Sequence, residues 1–254
     1  MEKIKCTISY DGSRFSGFQI QPKQRTVHGE LERALKKMHK GEHIRLQASG
    51  RTDTGVHAKG QVIHFASPFH LPEANWKKAL NTLLPNDLYV QKVEHVPMAF
   101  HARYDAVEKE YRYFVLNKQG IDVFQQNYVY QFPYTLDIHR IQDACRYFEG
   151  KHDFTTFSSA KTTIKGEKVR TLYDVLCTEE GEYLMFTFRG DGFLYHMIRT
   201  IVGVLLDVGQ GRLEADTIPS LFDSRDRQKI GATIPPQGLY LWNVLYGEKN
   251  GDGR

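Results

Sequence analysis

Residues 3–10, Lys-Ile-Lys-Cys-Thr-Ile-Ser-Tyr, alternate polar and apolar side chains and decide the first element of the fold. Ile4, Cys6, Ile8 and Tyr10 fall on one face of an extended chain, the pattern of a β-strand with one buried side. The sequence therefore begins with a predicted strand whose last core residue is Tyr10.

The elements that follow this strand complete a β-α-β-β-α-β order. Thr26 is predicted to cap a helix with apolar residues at helical spacing, Val27, Leu31, Leu35 and Met38. Short strands are expected near 43–48 and 61–66. A second helix begins at Pro72 and ends before Pro85, because proline is tolerated in a first turn but ends a helix later. A strand near 87–96 closes the set.

The second part of the chain repeats the same order. A strand at 110–117 precedes a helix that ends at Gly150, and strands near 169–179 and 182–190 are joined by a tight turn at Glu180-Gly181. A helix with apolar positions from Leu194 to Leu205 ends at Gly209, and a last strand covers 239–246. Segments 118–134 and 209–238 are read as insertions.

This repetition predicts an α+β protein of two ferredoxin-like halves, 1–104 and 105–254, with a mostly antiparallel central sheet. Ligand sites gather at the junctions of such units, so the cleft between the halves is the expected ligand position. The duplication rests on element order, because residue identity between the halves is negligible.

Charge is distributed unequally along the chain. Residues 1–104 carry 16 Lys and Arg against 9 Asp and Glu, whereas residues 105–254 carry 18 against 21. A basic half beside a mildly acidic half indicates a polyanionic partner on one face, although chance variation among surface charges gives the same numbers about equally often. The longest apolar run, 201–206, is far too short to span a membrane. Three cysteines without a CxxC pair indicate reduced thiols in a cytoplasmic protein.

Residues 48–60, Ala-Ser-Gly-Arg-Thr-Asp-Thr-Gly-Val-His-Ala-Lys-Gly, form a glycine-rich segment that is too polar to be core. Asp53 is its only acid and lies close to Arg51. A carboxylate among cations stays ionised and is suited to attack a carbon electrophile or to stabilise a developing cation. The alternative is an Asx turn in which Asp53 caps local amides before Gly55, and spacing alone favours that turn.

The residues around Asp53 resemble the signature loop of the tRNA pseudouridine synthases of the TruA type. The resemblance continues along nearly the whole chain in eight ordered blocks, 15–19, 51–58, 84–87, 100–103, 109–113, 152–154, 190–199 and 236–239. Each block alone is a weak signal, but their common order is specific. The resemblance implies a pseudouridine-synthase fold and a homodimeric enzyme.

The resemblance also implies roles for individual residues. Asp53 would be the nucleophile that lets uracil leave its ribose and rejoin through C5, and Arg51 would contact the substrate. Tyr111 would stack on the base, Arg199 would pair with Asp53, and Leu239 would pack on the uracil. From the residues alone, Tyr111 and Leu239 fit a strand core, and Arg199 fits a solvated helix face. Whether the carboxylate adds to the ring or to the anomeric carbon stays open.

The implied substrate is the tRNA anticodon stem-loop, at uridines 38, 39 and 40, read by shape. The target base must be extruded from its stack, at a cost of a few kcal/mol. Phosphate contacts are expected from basic residues of the first half, each of which also fits an ordinary surface charge: Arg14, Arg25, Lys36, Lys37, Lys77 and Lys78. The isomerisation adds and removes no atoms, so no cofactor or metal is expected.

Two other classes compete with this assignment. A non-catalytic RNA-binding module of tandem RRM-like units would explain strand aromatics such as Tyr111 and Tyr113, but not the loop around Asp53. A metal-dependent hydrolase would use histidines such as His57, His64 and the pair His152-Asp153, but none of these histidines lies in an HExxH or HxxxH spacing, and the cysteines form no CxxC pair.

Overall fold

The computed structural model describes residues 1–159 and 167–247, which form two compact units. Unit 1 comprises Met1–Lys109 together with the chain from Leu241 onward, and unit 2 comprises Glu110–Tyr240. The secondary structure is mixed α+β, and most of the strand pairs are antiparallel. None of the helices in the described ranges has the length and apolar character that a membrane crossing requires.

The strands found in the described residues are β1 (Glu2–Tyr10), β2 (Leu46–Ala48), β3 (His57–Ser67), β4 (Leu88–Val96), β5 (Ala106–Leu116), β6 (Tyr130–Gln131), β7 (Gly150–Asp153), β8 (Val169–Glu180), β9 (Tyr183–Gly190) and β10 (Leu239–Tyr246). The α-helices are α1 (Val27–Met38), α2 (Glu73–Leu83), α3 (Ile138–Cys145), α4 (Met197–Gly209) and α5 (Ile218–Ser224).

In unit 1, β1 lies between β3 and β4 and pairs antiparallel with both. The short strand β2 pairs antiparallel with β3, so β1 and β2 run in the same direction. The carboxyl ends of β1 and β2 therefore lie at one end of the sheet. This arrangement places the connection from β1 to α1 beside the connection from β2 to β3, which contains Asp53.

The core of unit 1 is formed where the two helices cover the sheet. Trp76 of α2 is completely buried and packs edge-on against the ring of Phe65, with the two ring centroids 5.4 Å apart. The Oγ1 of Thr26 caps α1 by accepting a hydrogen bond from the Gly29 N–H. The alternating face of β1 predicted from sequence is buried as expected, with Ile4 and Ile8 fully enclosed.

In unit 2 the strands follow the order β5-β9-β8-β7, and β6 adds to β5 in parallel. Helix α4 contributes many buried side chains to the core of unit 2, because apolar residues surround much of its circumference. Its first residue is Met197, three residues later than the predicted helix, and the reason is local. His196 has φ of +64°, outside the right-handed helical region, so Leu194 cannot belong to the same helix.

The structure confirms the β-α-β-β-α-β order in unit 1 and corrects several boundaries. The segment predicted as one loop from 48 to 60 is shorter, because β3 begins at His57 rather than near 61. The predicted helix before Gly150 is an α-helix only to Cys145 and a 3₁₀ turn thereafter. Strands β6 and β7 and helix α5 were not predicted, because each is only two to seven residues long, too short to show a hydrophobic periodicity.

Candidate functional site

The loop that carries Asp53 spans residues 49–56, between β2 and β3. A tight turn forms at Thr54-Gly55, where Gly55 has φ of +78°. The turn is closed by the backbone, since the Val56 N–H donates to the Asp53 carbonyl oxygen at 3.1 Å. This turn hydrogen bond therefore does not use the Asp53 carboxylate, and the side chain is only partly buried.

The β1–α1 connection packs against this loop through two glycines. The Phe18 N–H donates to the Thr52 carbonyl oxygen at 3.0 Å. A Cβ atom at Gly17, whose φ is +85°, would lie 3.0 Å from the same oxygen, and one at Gly12 would lie 2.1 Å from the Val56 carbonyl oxygen. Only glycine permits these close approaches. Gly12 and Gly17 therefore allow the β1–α1 connection to pack on the loop backbone on both sides of Asp53.

Buried side chains fix the loop from below. The Tyr10 hydroxyl and Thr52 Oγ1 are 2.8 Å apart, and both residues are buried. Burial raises the pKa of Tyr10 to about 12, although hydrogen bonds with Thr52 and Gln61 act in the opposite direction. His57 is buried beyond the turn, and its Nδ1 accepts from the Gly12 N–H at 3.0 Å.

The loop begins with Ser49 and Gly50, which are held by the side chains of Gln61 and Lys109. Ser49 is completely buried and its Oγ donates to Gln61 Oε1 at 2.7 Å. Gln61 Nε2 donates in turn to the Gly50 carbonyl oxygen at 3.0 Å. The Lys109 Nζ donates to the Ser49 carbonyl oxygen at 2.8 Å. Backbone groups on both sides of Arg51 and Asp53 are thus held in place.

An ion-pair network supports the β1–α1 connection. Arg25 forms a bidentate pair with Asp87, at 2.7 and 2.8 Å, and a third hydrogen bond with Glu30 at 3.0 Å. The hydrogen bonds from Arg25 lower the pKa of Asp87. The Asp87 carbonyl accepts from the Asp11 N–H, so Arg25 braces the turn next to Gly12. The guanidinium of this predicted phosphate contact is thus engaged within unit 1.

The other predicted site residues lie in unit 2. Tyr111 is largely buried, with its ring edge-on to Phe193 at 5.0 Å between centroids. Arg199 lies in the first turn of α4, and its Nε donates to the Ile234 carbonyl oxygen at 2.7 Å. Leu239 is buried at the start of β10.

The segment 234–239 joins these elements within unit 2. The Tyr113 hydroxyl donates to the Pro235 carbonyl oxygen at 2.7 Å, next to the carbonyl that Arg199 holds. Gly238 packs on the Tyr113 ring so closely that a Cβ atom would lie 2.8 Å from it. The Leu239 N–H donates to the Pro236 carbonyl oxygen, which closes a turn. The structure thus connects Arg199, Leu239 and the strand of Tyr111 through one segment.

The remaining phosphate candidates and Arg51 lie on the surface of unit 1. The exposed members are Arg14, Lys36, Lys37, Lys78 and Arg51. Lys77 is partly buried, with its ammonium 5.7 Å from the ring centroid of the exposed Tyr89. Lys77, Lys78 and Tyr89 line a shallow groove between α2 and β4.

The histidines considered for a metal site each have a local partner. His57 accepts from Gly12, His64 Nδ1 accepts from the Ala102 N–H at 3.1 Å, and His152 Nε2 lies 2.7 Å from the Glu149 carbonyl oxygen. Residues 1–159 and 167–247 contain no group of three or more His, Cys, Asp or Glu side chains that could hold a metal ion.

Sequence reasoning missed the residues that hold the loop. Tyr10 was predicted only as strand core, and Thr52, Gln61 and Lys109 were assigned no role in positioning Asp53. The one available signal is Gln61, a buried amide in an apolar strand, because buried polar groups need partners. Nothing in the spacing connects Lys109 with Ser49, since 60 residues separate them.

Comparisons with known proteins agree over nearly the full chain. The family model described as tRNA pseudouridine synthase matches residues 7–105 and 144–247. A protein of Oceanobacillus iheyensis named tRNA pseudouridine synthase A is 61% identical over 252 residues, 99% of each chain. One of the same name in Bacillus subtilis is 49% identical over 245 residues, 96% of this chain and 99% of that one. A chain of a Cbf5-Nop10-Gar1 crystal structure aligns with a TM-score of 0.34 and 13% identity, covering 80% of this chain and 54% of that one, too weakly to support any argument.

Proposed function

Because the chain belongs to the tRNA pseudouridine synthase family, we propose that it isomerises uridine to pseudouridine in tRNA, with Asp53 as the nucleophile. In this reaction the bond between N1 of uracil and the ribose breaks, and a bond between C5 and the ribose forms. C5 loses one proton and N1 gains one, so atoms and electrons balance without an oxidant or reductant. The protein must hold the detached base and turn it before it rejoins.

The observation that carries this proposal is the anchoring of the loop around Asp53. Tyr10 holds the Thr52 side chain, and Gly12 and Gly17 lie against the loop backbone, whereas Asp53 remains partly exposed. A nucleophile needs this combination, because a fixed carboxylate reacts from a near-attack position without reorganising. An Asx turn with a purely structural Asp53 would not require buried tyrosine and glycine contacts on both flanks.

The residues of unit 2 supply the remaining proposed roles. We propose that Tyr111 stacks on the uracil, that Leu239 packs on the base, and that Arg199 keeps the nucleophile ionised. The hydrogen bond from Arg199 Nε to the Ile234 carbonyl oxygen fixes the guanidinium beside the segment that leads to Leu239, which suits a residue that must hold one orientation. Tyr111 is fixed by Phe193, as a stacking platform must be.

We further propose that the substrate region is the anticodon stem-loop at uridines 38, 39 and 40, contacted through phosphates by the exposed basic residues of unit 1. The basic excess of residues 1–104 supports this assignment. Arg14, Arg51, Lys36, Lys37 and Lys78 are exposed and available for such contacts, and Lys77 lies beside Tyr89. Arg25 is the weakest candidate, because binding phosphate would compete with Asp87 and Glu30.

We also propose that each half is ferredoxin-like, with the halves bounded at 104 and 105. The strand order of unit 1, in which β1 is flanked by β3 and β4 and β2 adds to β3, supports this for the first half. The expected location of the enzyme is the cytoplasm, where its tRNA substrate is found and where the three buried free cysteines would stay reduced.

A homodimer is part of the same proposal. An exposed apolar segment in unit 2 supports it, because large exposed apolar side chains mark protein interfaces. Ile121 is 81% exposed, Val123 61% and Phe124 85%. Replacing Phe124 with Ser is expected to shift the protein from dimer to monomer in analytical ultracentrifugation. A wild-type protein that sediments only as a monomer would contradict the dimer.

The experiment that tests the function is pseudouridine mapping of an unmodified tRNA transcript after incubation with the purified protein, without added metal or cofactor. The expected result is pseudouridine at one or more of positions 38, 39 and 40. Binding of tRNA without any pseudouridine would contradict the enzyme and favour a tandem RRM-like binding module, a class that family membership does not favour.

A further inference from the structure

We propose that Lys109 is a positioning residue for Asp53, a role that rests on the proposed function. The ammonium of Lys109 donates to the carbonyl oxygen of Ser49 at 2.8 Å, four residues before Asp53. A Cβ atom at Gly50 would lie 3.5 Å from the same nitrogen. The lysine head group therefore contacts Ser49 and lies beside Gly50, at the beginning of the loop 49–56.

Burial makes this contact stronger than a surface lysine contact. Ser49 is fully buried, and its backbone N–H is already bonded to the Val62 carbonyl oxygen at 2.8 Å. A carbonyl at such a position needs a partner, because a buried acceptor without one is destabilising. A charged donor forms a shorter and stronger hydrogen bond than a neutral one. Lys109 thus fixes the direction of the Ser49 carbonyl.

The geometry divides the loop between two sets of contacts. Gln61 and Lys109 hold its beginning, at Gly50 and Ser49, through side-chain donors. Tyr10 and Phe18 hold Thr52, just before Asp53. Loss of the Lys109 contact would free the beginning of the loop while leaving the later contacts intact. We expect a displaced carboxylate in a folded protein rather than an unfolded unit 1.

A phosphate contact is the competing role for a partly buried lysine in an RNA enzyme. The two roles predict different kinetics. Loss of a positioning residue lowers kcat, the turnover rate at a saturating concentration of tRNA, because small displacements of a reacting group reduce the rate strongly. The affinity for tRNA stays nearly unchanged. A phosphate contact weakens affinity and lowers the salt dependence of binding by about one ion.

The test compares wild-type protein with Lys109→Met, Lys109→Arg and the control Lys92→Met, which removes an exposed strand lysine paired with Glu94. We expect Lys109→Met to lower kcat on the order of 10-fold to 100-fold. Its tRNA Kd should stay within about twofold of wild type, and its melting should remain cooperative. Lys109→Arg should recover most of the rate, because its guanidinium also donates, and Lys92→Met should match wild type.

Three results would overturn the proposal: an unchanged kcat in Lys109→Met, a weakened Kd with a reduced salt slope at unchanged kcat, or a folded Lys109→Arg as slow as Lys109→Met. Should Lys109→Met not fold, Lys109→Gln takes its place under the same criteria. A wild-type protein that makes no pseudouridine would instead refute the proposed function. An active wild type beside an equally active Lys109→Met refutes only the role of Lys109.

Discussion

The hydroxyl group of Tyr10 lies 2.8 Å from Oγ1 of Thr52, and neither residue is accessible to solvent beyond a few per cent. This contact ties the last residue of β1 to the residue that precedes Asp53. The buried strand core and the reactive loop are therefore one structure, and damage to the first is expected to affect chemistry at the second.

Breaking the Tyr10–Thr52 contact is expected to reduce both stability and activity. Thr52→Val keeps the shape of the side chain but leaves the Tyr10 hydroxyl without this partner, at a cost of about 1–3 kcal/mol. Tyr10→Phe removes the other member. Urea unfolding of both single variants and the double variant should give a coupling energy of about 0.5–3 kcal/mol. Additive effects within error would contradict a direct interaction.

Gly17→Ala is expected to destabilise the protein more than Gly41→Ala. Both glycines have positive φ, +85° and +101°, so both substitutions carry a backbone cost, on the order of 1–2 kcal/mol. Only the Gly17 Cβ would meet the loop, at 3.0 Å from the Thr52 carbonyl oxygen, whereas nothing lies within 4 Å at Gly41. The difference in unfolding free energy measures the steric contact. We expect the rate of pseudouridine formation to fall in Gly17→Ala but not in Gly41→Ala. Equal rates and equal unfolding free energies in the two variants would refute the close contact between Gly17 and the loop.

Arg199→Ala is expected to reduce the rate of pseudouridine formation more than the affinity for tRNA. The variant loses the donor to Ile234 and the proposed partner of the nucleophile, and neither group reads the RNA backbone. Single-turnover rates and filter-binding affinities should separate the two effects. Arg212→Ala, which removes an exposed arginine beside Asp207, is the matched control. A fall in affinity with an unchanged rate would show that Arg199 contacts phosphate.

The protein should lose stability as pH falls from about 6.5 to about 4, in part through His64. Burial, assisted by the neighbouring His101, lowers the pKa of His64 to about 4. Because the unfolded chain takes up this proton near pH 6.5, the folded state is favoured fully above that pH and progressively less below it. The loss is on the order of 1–3 kcal/mol.

His64→Gln tests this linkage, because glutamine does not titrate. The difference in urea unfolding free energy between pH 7.5 and pH 4.5 should be smaller in the variant than in wild type. Asp87 has a lowered pKa and contributes loss of stability only at still lower pH, below its ordinary value of 3.8. An identical pH dependence in both proteins would refute the assignment to His64.

The regular elements of unit 1 could be predicted from sequence because each has a local cause. The alternation in 3–10, the cap at Thr26 and the prolines that flank α2 act within a few residues, and the structure follows them. The start of β3 could not be predicted, because His57 and Lys59 are polar. What places them in a strand is antiparallel pairing with β1, where Ala58 lies opposite Tyr10.

The candidate site likewise has one part that could be predicted from sequence and one part that could not. Asp53 could be singled out because it is the only acid in a glycine-rich loop and lies within the family block 51–58. The contacts that position it join residues separated by 42, 45 and 60 positions, namely Tyr10 with Thr52, Gly12 with His57, and Ser49 with Lys109. No local pattern records such pairs, so only the folded structure reveals them.

The role of Asp53 itself is tested most directly by Asp53→Asn in a single-turnover assay on an unmodified tRNA transcript, with Asp216→Asn, a change in an exposed 3₁₀ turn, as the control. Asparagine keeps the shape of the side chain and removes the charge. We predict that Asp53→Asn folds, binds tRNA with an affinity close to that of wild type, and forms no detectable pseudouridine, whereas Asp216→Asn behaves as wild type. Pseudouridine formation by Asp53→Asn at a rate near that of wild type would contradict the nucleophile and the account built on it.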